Sequence, residues 1–188
     1  MRKVDRATAA LMLEILEAQF KSLLARGWLP RNASASASAE ARRGYTLETI
    51  YAQACALEFA ARFGIDRATA GPLGHFCGFA SFLKHWPRVI AAGETVLAGR
   101  ATLPDGRQAF FAATAAEFAG DPVLSTAESV AAISASAIVA RLRARASELA
   151  IADDGFFSAS AFAHDRIATE TTAPGAAFYI AASPDSAR

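Results

Sequence analysis

The chain has 188 residues, 53% of them hydrophobic, enough for one domain with a sizeable core or for a small domain beside a second one. The formal net charge is +1, yet residues 1–45 carry eight basic and four acidic residues, a net +4 against −3 for the remainder. This asymmetry is typical of a basic part with an anionic partner, and it is equally compatible with an ordinary mixed surface.

The composition also bears on where the protein resides. Two cysteines do not make a disulfide framework, which favours a reducing compartment. The N-terminus has charges at both ends of its first apolar stretch and lacks the long apolar run of a signal peptide. No window reaches the roughly 18 uncharged apolar residues that a membrane span needs. We therefore expect a cytoplasmic protein with no membrane association.

Residues 5–28 have the periodicity of helix. Gly27 supplies a stop signal, and Pro30 prevents the helix from resuming. The apolar stripe does not break, so this segment is either one continuous helix or two helices with a turn near residues 14–16. The stripe consists of Ala9, Met12, Leu13, Leu16, Phe20, Leu23 and Leu24.

An alanine- and serine-rich tract follows at residues 31–44, with no large apolar side chain. Such a segment buries too little surface to offset the entropy of ordering, so we expect it to be mobile. It is either a flexible linker between two domains or the long tip of a loop within one domain.

The next two helices are predicted from their caps. Thr46 is a good N-cap for a helix that Gly64 ends, and the intervening residues repeat an apolar stripe. Asp66 is an N-cap for a following helix, which we expect to be short because Gly71 and Pro72 break it.

The rest of the chain mixes helix and strand. Residues 73–94 predict a buried helix ending at Pro87, and two β-like runs flank the turn residues 104–106 as in a hairpin. A strand or helix start after residue 121 leads into a helix at about 136–149. Beyond residue 152 the periodicity is lost, which indicates a loosely ordered tail.

Two segments together resemble a known family. "TAALMLEILEAQFKSLLARGWLP" followed by "RRGYTLETIYAQACALEFAARFGI" is similar to the MerR-type winged helix-turn-helix, in which a short helix, a turn and a recognition helix precede a β-wing. The run from Tyr45 to Glu48 fits the aromatic end of the wing and the start of the next helix. Glu14 stands where the family commonly has glycine in the turn, and Leu16 stands where it commonly has a Ser or Thr cap. The resemblance covers roughly residues 5–66.

The predicted elements together indicate a fold that is mainly α with small β elements, within which the resemblance implies an N-terminal DNA-binding domain. A winged helix-turn-helix occupies residues 1–66, with an extended wing at 31–44. Residues 67–152 form a small α+β part for dimerisation or ligand sensing, and residues 153–188 are a loosely ordered tail. The second part has room for a small ligand, which no polar constellation identifies.

The family's function implies binding to double-stranded DNA as a homodimer, with a recognition helix at about residues 17–26. Gln19 would bond an adenine edge, Lys21 and Ser22 a base or phosphate, and Arg26 the backbone. Arginines of the wing would grip phosphates, and Tyr45 would pack the wing onto the domain. Without DNA, each polar group is a solvated side chain opposite the apolar stripe. The candidate DNA-binding residues are Gln19, Lys21, Ser22, Arg26, Arg31, Arg42, Arg43 and Tyr45.

Other chemistries have less support. His75, Cys77 and His85 lie close together, with Cys55 on a neighbouring helix, but their spacing matches no closed zinc pattern. No phosphate-binding loop, dinucleotide fingerprint or catalytic constellation is present. We therefore expect no metal, no cofactor and no enzymatic activity.

A second hypothesis belongs to a different class of protein. The chain could be an α-helical interaction or assembly protein, such as a phage-type adaptor, with no role in nucleic-acid binding. A bend near residues 14–16 with two short helices favours DNA binding, whereas one unbroken helix favours the assembly protein.

Overall fold

The computed structural model describes residues 3–30, 44–80, 95–151 and 178–182. It confirms a mixed α+β fold with helices and an antiparallel sheet. The helices are α1 (Arg6–Met12), α2 (Glu17–Ala25), α3 (Leu47–Phe63), α4 (Arg67–Ala80), α5 (Ala115–Gly120) and α6 (Ala135–Glu148). The strands are β1 (Val96–Thr102), β2 (Gln108–Thr114), β3 (Ser129–Ser134) and β4 (Phe178–Ala182), with a short 3-10 helix at Leu124–Thr126.

Helix α3 runs through the middle of the fold and matches its prediction. The hydroxyl of Thr46 accepts a hydrogen bond from the backbone N–H of Thr49, at 3.3 Å, and so caps the helix. Gly64 ends the helix in the left-handed conformation, with φ of 60°. Nine of the first ten residues of α3 are buried, Glu48 being the exception. No helix in the described ranges is long and apolar enough to cross a membrane.

Helix α4 corrects the prediction that Gly71 and Pro72 break the helix: it continues through both. Proline removes one intrahelical hydrogen bond, but packing compensates because the glycines of α4 allow a close approach. A Cβ built on Gly74 would lie 2.4 Å from the backbone nitrogen of Ala56, and one on Gly71 would lie 3.0 Å from the carbonyl oxygen of Trp28. The predicted continuation over residues 81–94, including Pro87, lies outside the described residues.

The predicted hairpin is present. β1 and β2 pair antiparallel, and the backbone N–H of Gly106 donates to the carbonyl of Leu103 at 2.8 Å to close the turn. Gly106 has a φ of 81°, which L-residues with a side chain adopt only with strain. The carboxylate of Asp105 accepts from the backbone N–H of Arg107 at 3.0 Å. Local turn chemistry therefore fixes the register of the two strands.

The sheet has the strand order β3-β1-β2-β4, and both faces of its hairpin are covered. Val96, Ala98 and Ile133 join the main core with the helices. On the other face Phe111 packs with Leu124 in a smaller cluster beneath α5 and the 3-10 helix. Burial on both faces explains why β1 and β2 are nearly apolar instead of alternating.

The C-terminal elements agree with the sequence in part. Helix α6 was predicted at about residues 136–149 and occupies 135–148. Five residues of the segment expected to be a loosely ordered tail, 178–182, form β4, which pairs antiparallel with β2. A strand of this kind is held by its partner's backbone and needs no apolar periodicity of its own. The remainder of 153–188 lies outside the described residues.

The alanine- and serine-rich tract connects two parts of a single core. Residues before and after it belong to the same buried cluster, and the ring of Phe20 meets that of Tyr45 edge-on at 5.2 Å between centroids. The tract is therefore not a linker between separately packed domains. Residues 31–43 themselves, predicted as the wing tip, lie outside the described residues. The buried core is continuous across residue 66, so it marks no boundary there. The division of the chain into two functional parts at residue 66 stays a prediction.

The Gly74→Ala variant tests the contact between α3 and α4. Its Cβ would meet backbone atoms of Ala56, which cannot move aside as a side chain can, so we expect a loss of about 1–3 kcal/mol in the free energy of unfolding. Gly120→Ala is the control, because a Cβ there meets nothing within 4 Å. Urea unfolding measures both. Equal stability of the two variants would contradict the close approach.

Candidate nucleic-acid interface

Residues 5–28 form two helices, not one. The backbone N–H of Glu14 donates to the carbonyl of Leu11 at 3.2 Å, and that of Ile15 to Ala10 at 3.1 Å. This pair of bonds is a Schellman motif, which ends α1 in a left-handed residue. That residue is Glu14, with φ of 57°. It occupies the turn position where MerR-type domains commonly have glycine. The bend therefore falls where the DNA-binding hypothesis required it.

The start of α2 lacks a side-chain cap. Leu16 is the N-cap residue, accepts no backbone hydrogen bond with its side chain and is 76% exposed. An ion pair fixes the helix instead, because Nε of Arg6 on α1 lies 2.8 Å from Oε1 of Glu17. Both partners are partly exposed, so the pair orients the two helices more than it stabilises them.

The start of α1 carries its own cap. A carboxylate oxygen of Asp5 accepts a hydrogen bond from the backbone N–H of Thr8 at 2.7 Å. The backbone and side-chain hydrogen bonds from Thr8 lower the pKa of Asp5 below its usual value. The carboxylate therefore stays charged at the N-terminus of α1, where the helix dipole favours it.

Both ends of the undescribed segment 31–43 are anchored. The backbones of Val4 and Tyr45 form an isolated antiparallel bridge with N–H to carbonyl distances of 3.0 and 2.7 Å. At the other end, the side-chain amide of Gln53 donates to the carbonyl of Pro30 at 2.9 Å. Gly44 has a φ of 73°, and a Cβ there would clash with the Val4 carbonyl at 2.6 Å. The segment thus leaves from and returns to the unit formed by α1, α2 and α3.

Helix α2 and its C-terminal end present four of the eight predicted contact residues. Gln19, Lys21, Ser22 and Arg26 are all exposed, whereas Phe20, Leu23 and Leu24 are buried. At about 100° per residue, Ser22 lies roughly opposite the buried stripe, with Lys21 and Arg26 to either side.

Two of these residues have further surroundings. The guanidinium carbon of Arg26 lies 4.7 Å from the ring centroid of Trp28, a cation–π contact that holds the side chain at the end of α2. Gln19 lines a cleft behind the turn, on the side of α2 away from Lys21. At about 100° per residue, Gln19, Ser22 and Arg26 lie on one side of α2, whereas Lys21 lies about 100° from Ser22 around the helix.

The wing residues have different outcomes. Tyr45 is 2% exposed, and its ring packs edge-on against that of Phe20, which attaches the chain at residue 45 to the N-terminal helices. Arg31, Arg42 and Arg43 lie outside the described residues. Their proposed contacts with phosphate stay predictions.

Sequence reasoning missed the contacts that α6 makes with this unit. Nε of Arg145 donates to the carbonyl of Leu11 at 3.1 Å, at the end of α1, where a cation also complements the helix dipole. Arg141 donates to a carboxylate oxygen of Glu58 on α3, at 3.3 Å from both terminal nitrogens. These partners are separated by 134 and 83 residues in the sequence, so no local sequence pattern predicts the contacts.

The two cysteines are buried in the core. Burial raises the pKa of Cys55 to about 12 and that of Cys77 well above its usual value, so both are neutral thiols. His75 is exposed, and His85 lies outside the described residues. Within the described ranges, no three His, Cys, Asp or Glu side chains cluster as metal ligands do.

Comparison of the chain with family models, with curated proteins and with solved structures finds no match.

The Glu14→Gly variant tests the turn. Glycine removes the cost of a left-handed residue that bears a Cβ, and this gain exceeds the added chain entropy of the unfolded state, for a net stabilisation of about 0.5–1 kcal/mol. Glu14→Ala is the control, since it removes the carboxylate and keeps the Cβ. Urea unfolding at neutral pH compares them. Equal stabilisation by Glu14→Gly and Glu14→Ala would show that the gain comes from loss of the carboxylate charge and not from relief of backbone strain.

Asp5 supplies a prediction that depends on pH. Because its folded pKa is lowered, its ionised cap stabilises the protein above the usual carboxyl pKa, and the effect is lost as pH falls through the lowered pKa. Asp5→Ala should cost about 1 kcal/mol near neutral pH, and Asp5→Asn, which retains an acceptor, a few tenths. Thermal unfolding between about pH 7 and about pH 2 should bring the parent and Asp5→Asn together at the acid end. A constant difference would contradict the assignment.

Proposed function

We propose that the protein is a DNA-binding transcriptional regulator of MerR-like type that reads a short duplex site as a homodimer. The observation that carries the proposal is the separation of residues 5–28 into two helices by a tight turn at Glu14. An uninterrupted helix would have favoured the assembly protein, and no contact among the described residues favours that second reading.

The anchoring of the wing supports the proposal. A wing contributes to DNA binding when it is attached to the same rigid unit as the recognition helix. The Val4–Tyr45 bridge and the bond from Gln53 to Pro30 attach both ends of the segment 31–43 to that unit. In the sequence, Arg42 and Arg43 directly precede the anchored Gly44.

The chemistry of α2 also fits a groove. Ser22 has a small hydroxyl group that can donate and accept hydrogen bonds. The neighbouring exposed residues Ala18 and Ala25 have short side chains, which allows the helix backbone to approach base edges closely. Lys21 and Arg26 lie on either side and suit phosphates on the two walls of a major groove. One such unit reads only a few base pairs, so two copies on a two-fold site would give useful specificity.

Acidic groups near α2 bear on the same surface. Glu17 sits in the first turn of α2, where an unpaired carboxylate would repel DNA. Its ion pair with Arg6 offsets that charge and leaves the guanidinium, as a hydrogen-bond donor, beside α2. Arg6 therefore joins the candidate surface, although the sequence analysis did not select it.

The test is binding of the full chain to random-sequence duplex DNA by fluorescence anisotropy at a series of salt concentrations. The paired variants Lys21→Ala/Arg26→Ala and Arg42→Ala/Arg43→Ala should each weaken binding and reduce the slope of log affinity against log salt by up to about 2, at roughly 0.9 per lost phosphate contact. Arg107→Ala, at the exposed hairpin tip, removes a cation elsewhere and is the control.

The control should bind as the parent does, apart from the small effect of net charge. If the parent protein shows no salt-dependent binding to duplex DNA, the proposed function is wrong. Normal binding by the Arg42/Arg43 variant alone would remove the wing and leave α2 as the contact surface.

A further inference from the structure

A cleft of about 470 Å³ lies behind the turn between α1 and α2. Its walls come from that turn, from the second half of α3, from the corner between α3 and α4 and from α6. The size is within the range of small-molecule sites, which lie between roughly 300 and 1,000 Å³. Segments far apart in sequence thus enclose one space beside α2.

The floor of this cleft is apolar. Leu142 of α6 and Met12 of α1 are buried beneath it, and Leu57 and Ile65 are half-buried at its sides. An apolar body placed here would cover the exposed parts of Leu57 and Ile65, and removal of apolar surface from water is the usual source of affinity in such sites.

Two of the cleft's charged groups already have partners. Glu58 accepts hydrogen bonds from Arg62 at 2.6 Å and from Arg141 at 3.3 Å. Asp66 caps α4 by accepting from the backbone of Thr69 and from its hydroxyl, the latter at 2.6 Å. These hydrogen bonds hold the walls of the cleft in place.

Two other charged groups have no partner among the described residues. The carboxylate of Glu14 comes from the turn, and the guanidinium of Arg67 comes from the first position of α4. They lie on different walls of the same cleft, and each is exposed. The amide of Gln19 lies on the same lining and also makes no side-chain hydrogen bond within the described ranges.

We propose that this cleft binds a small zwitterion with an apolar body, its cationic group on Glu14 and its carboxylate on Arg67. Both side chains are exposed and solvated, so the selectivity comes from the ion pairs that a ligand adds: a zwitterion forms two, a molecule with one charge forms one, and a purely apolar molecule forms none. A ligand of the apolar amino-acid type satisfies both while its side chain covers the floor.

Such a ligand would bridge the turn to the corner before α4. Its influence on DNA affinity rests on the proposed function, because the turn and Gln19 belong to the unit that would meet DNA. Ligand binding itself does not rest on it and is measured with the protein alone, so either proposal can fail without the other.

The probes are L-phenylalanine, 3-phenylpropionate and 2-phenylethylamine, which carry the same ring with both charges, the anion alone and the cation alone. Titration calorimetry and thermal shift with the full chain should show L-phenylalanine binding about fivefold more tightly than either single-charge probe, the worth of one exposed ion pair. Glu14→Gln should abolish its advantage over 3-phenylpropionate, and Arg67→Gln its advantage over 2-phenylethylamine.

Ala61→Phe fills the cleft from an exposed position on α3, so it should abolish binding of all three probes without disturbing the core. Ala144→Phe is the matched control, an exposed alanine on α6 that does not line the cleft, and it should bind as the parent does. The proposal is overturned by failure of L-phenylalanine to bind, by equal binding of the three probes, or by binding that survives Ala61→Phe.

Discussion

The burial of α3 is the constraint on which the rest of the structure depends. Its first ten residues are almost entirely enclosed, and such a helix is stable only when other elements cover every side of it. α4 covers one side through the contact of Gly74 with Ala56, and α6 and β3 pack on others. The amide of Gln53 donates to the carbonyl of Pro30 and so holds the end of the N-terminal segment to the same helix. One helix thus orders both halves of the chain.

Elements with local signals were predictable from the sequence. α3 has a capping threonine and a terminal glycine, and the hairpin has its own turn residues, so each is specified within a few residues. Elements that depend on distant partners were not. β4 exists because β2 offers it a backbone edge, and α4 runs through Pro72 because its glycines seat it against α3 and Trp28. Local rules give the free-energy cost of a proline inside a helix, and tertiary packing decides whether that cost is offset.

The candidate site divides in the same way. Exposure of Lys21, Ser22 and Arg26 followed from the apolar stripe, which fixed the buried side of α2. The bend at Glu14 did not follow from the sequence, because glutamate is not a residue type that indicates a left-handed backbone conformation. The long-range contacts of Arg141 and Arg145 also could not be predicted, because their partners lie 83 and 134 residues away in the sequence. Those contacts make α6 part of the support for the N-terminal unit, which therefore depends on the C-terminal half for its geometry.

The double anchorage at Pro30 and Gly44 separates the length of the intervening stretch from the integrity of the core. Each doubling of a closed loop costs only about 0.6 kcal/mol in chain entropy, so residues can be gained or lost there at little thermodynamic penalty. Changes in the number of residues between Pro30 and Gly44 would therefore alter the sequence spacing of Arg31 from Arg42 and Arg43 while the hydrophobic interior stays unchanged. The same position is a natural place to insert a fluorophore tag or an epitope.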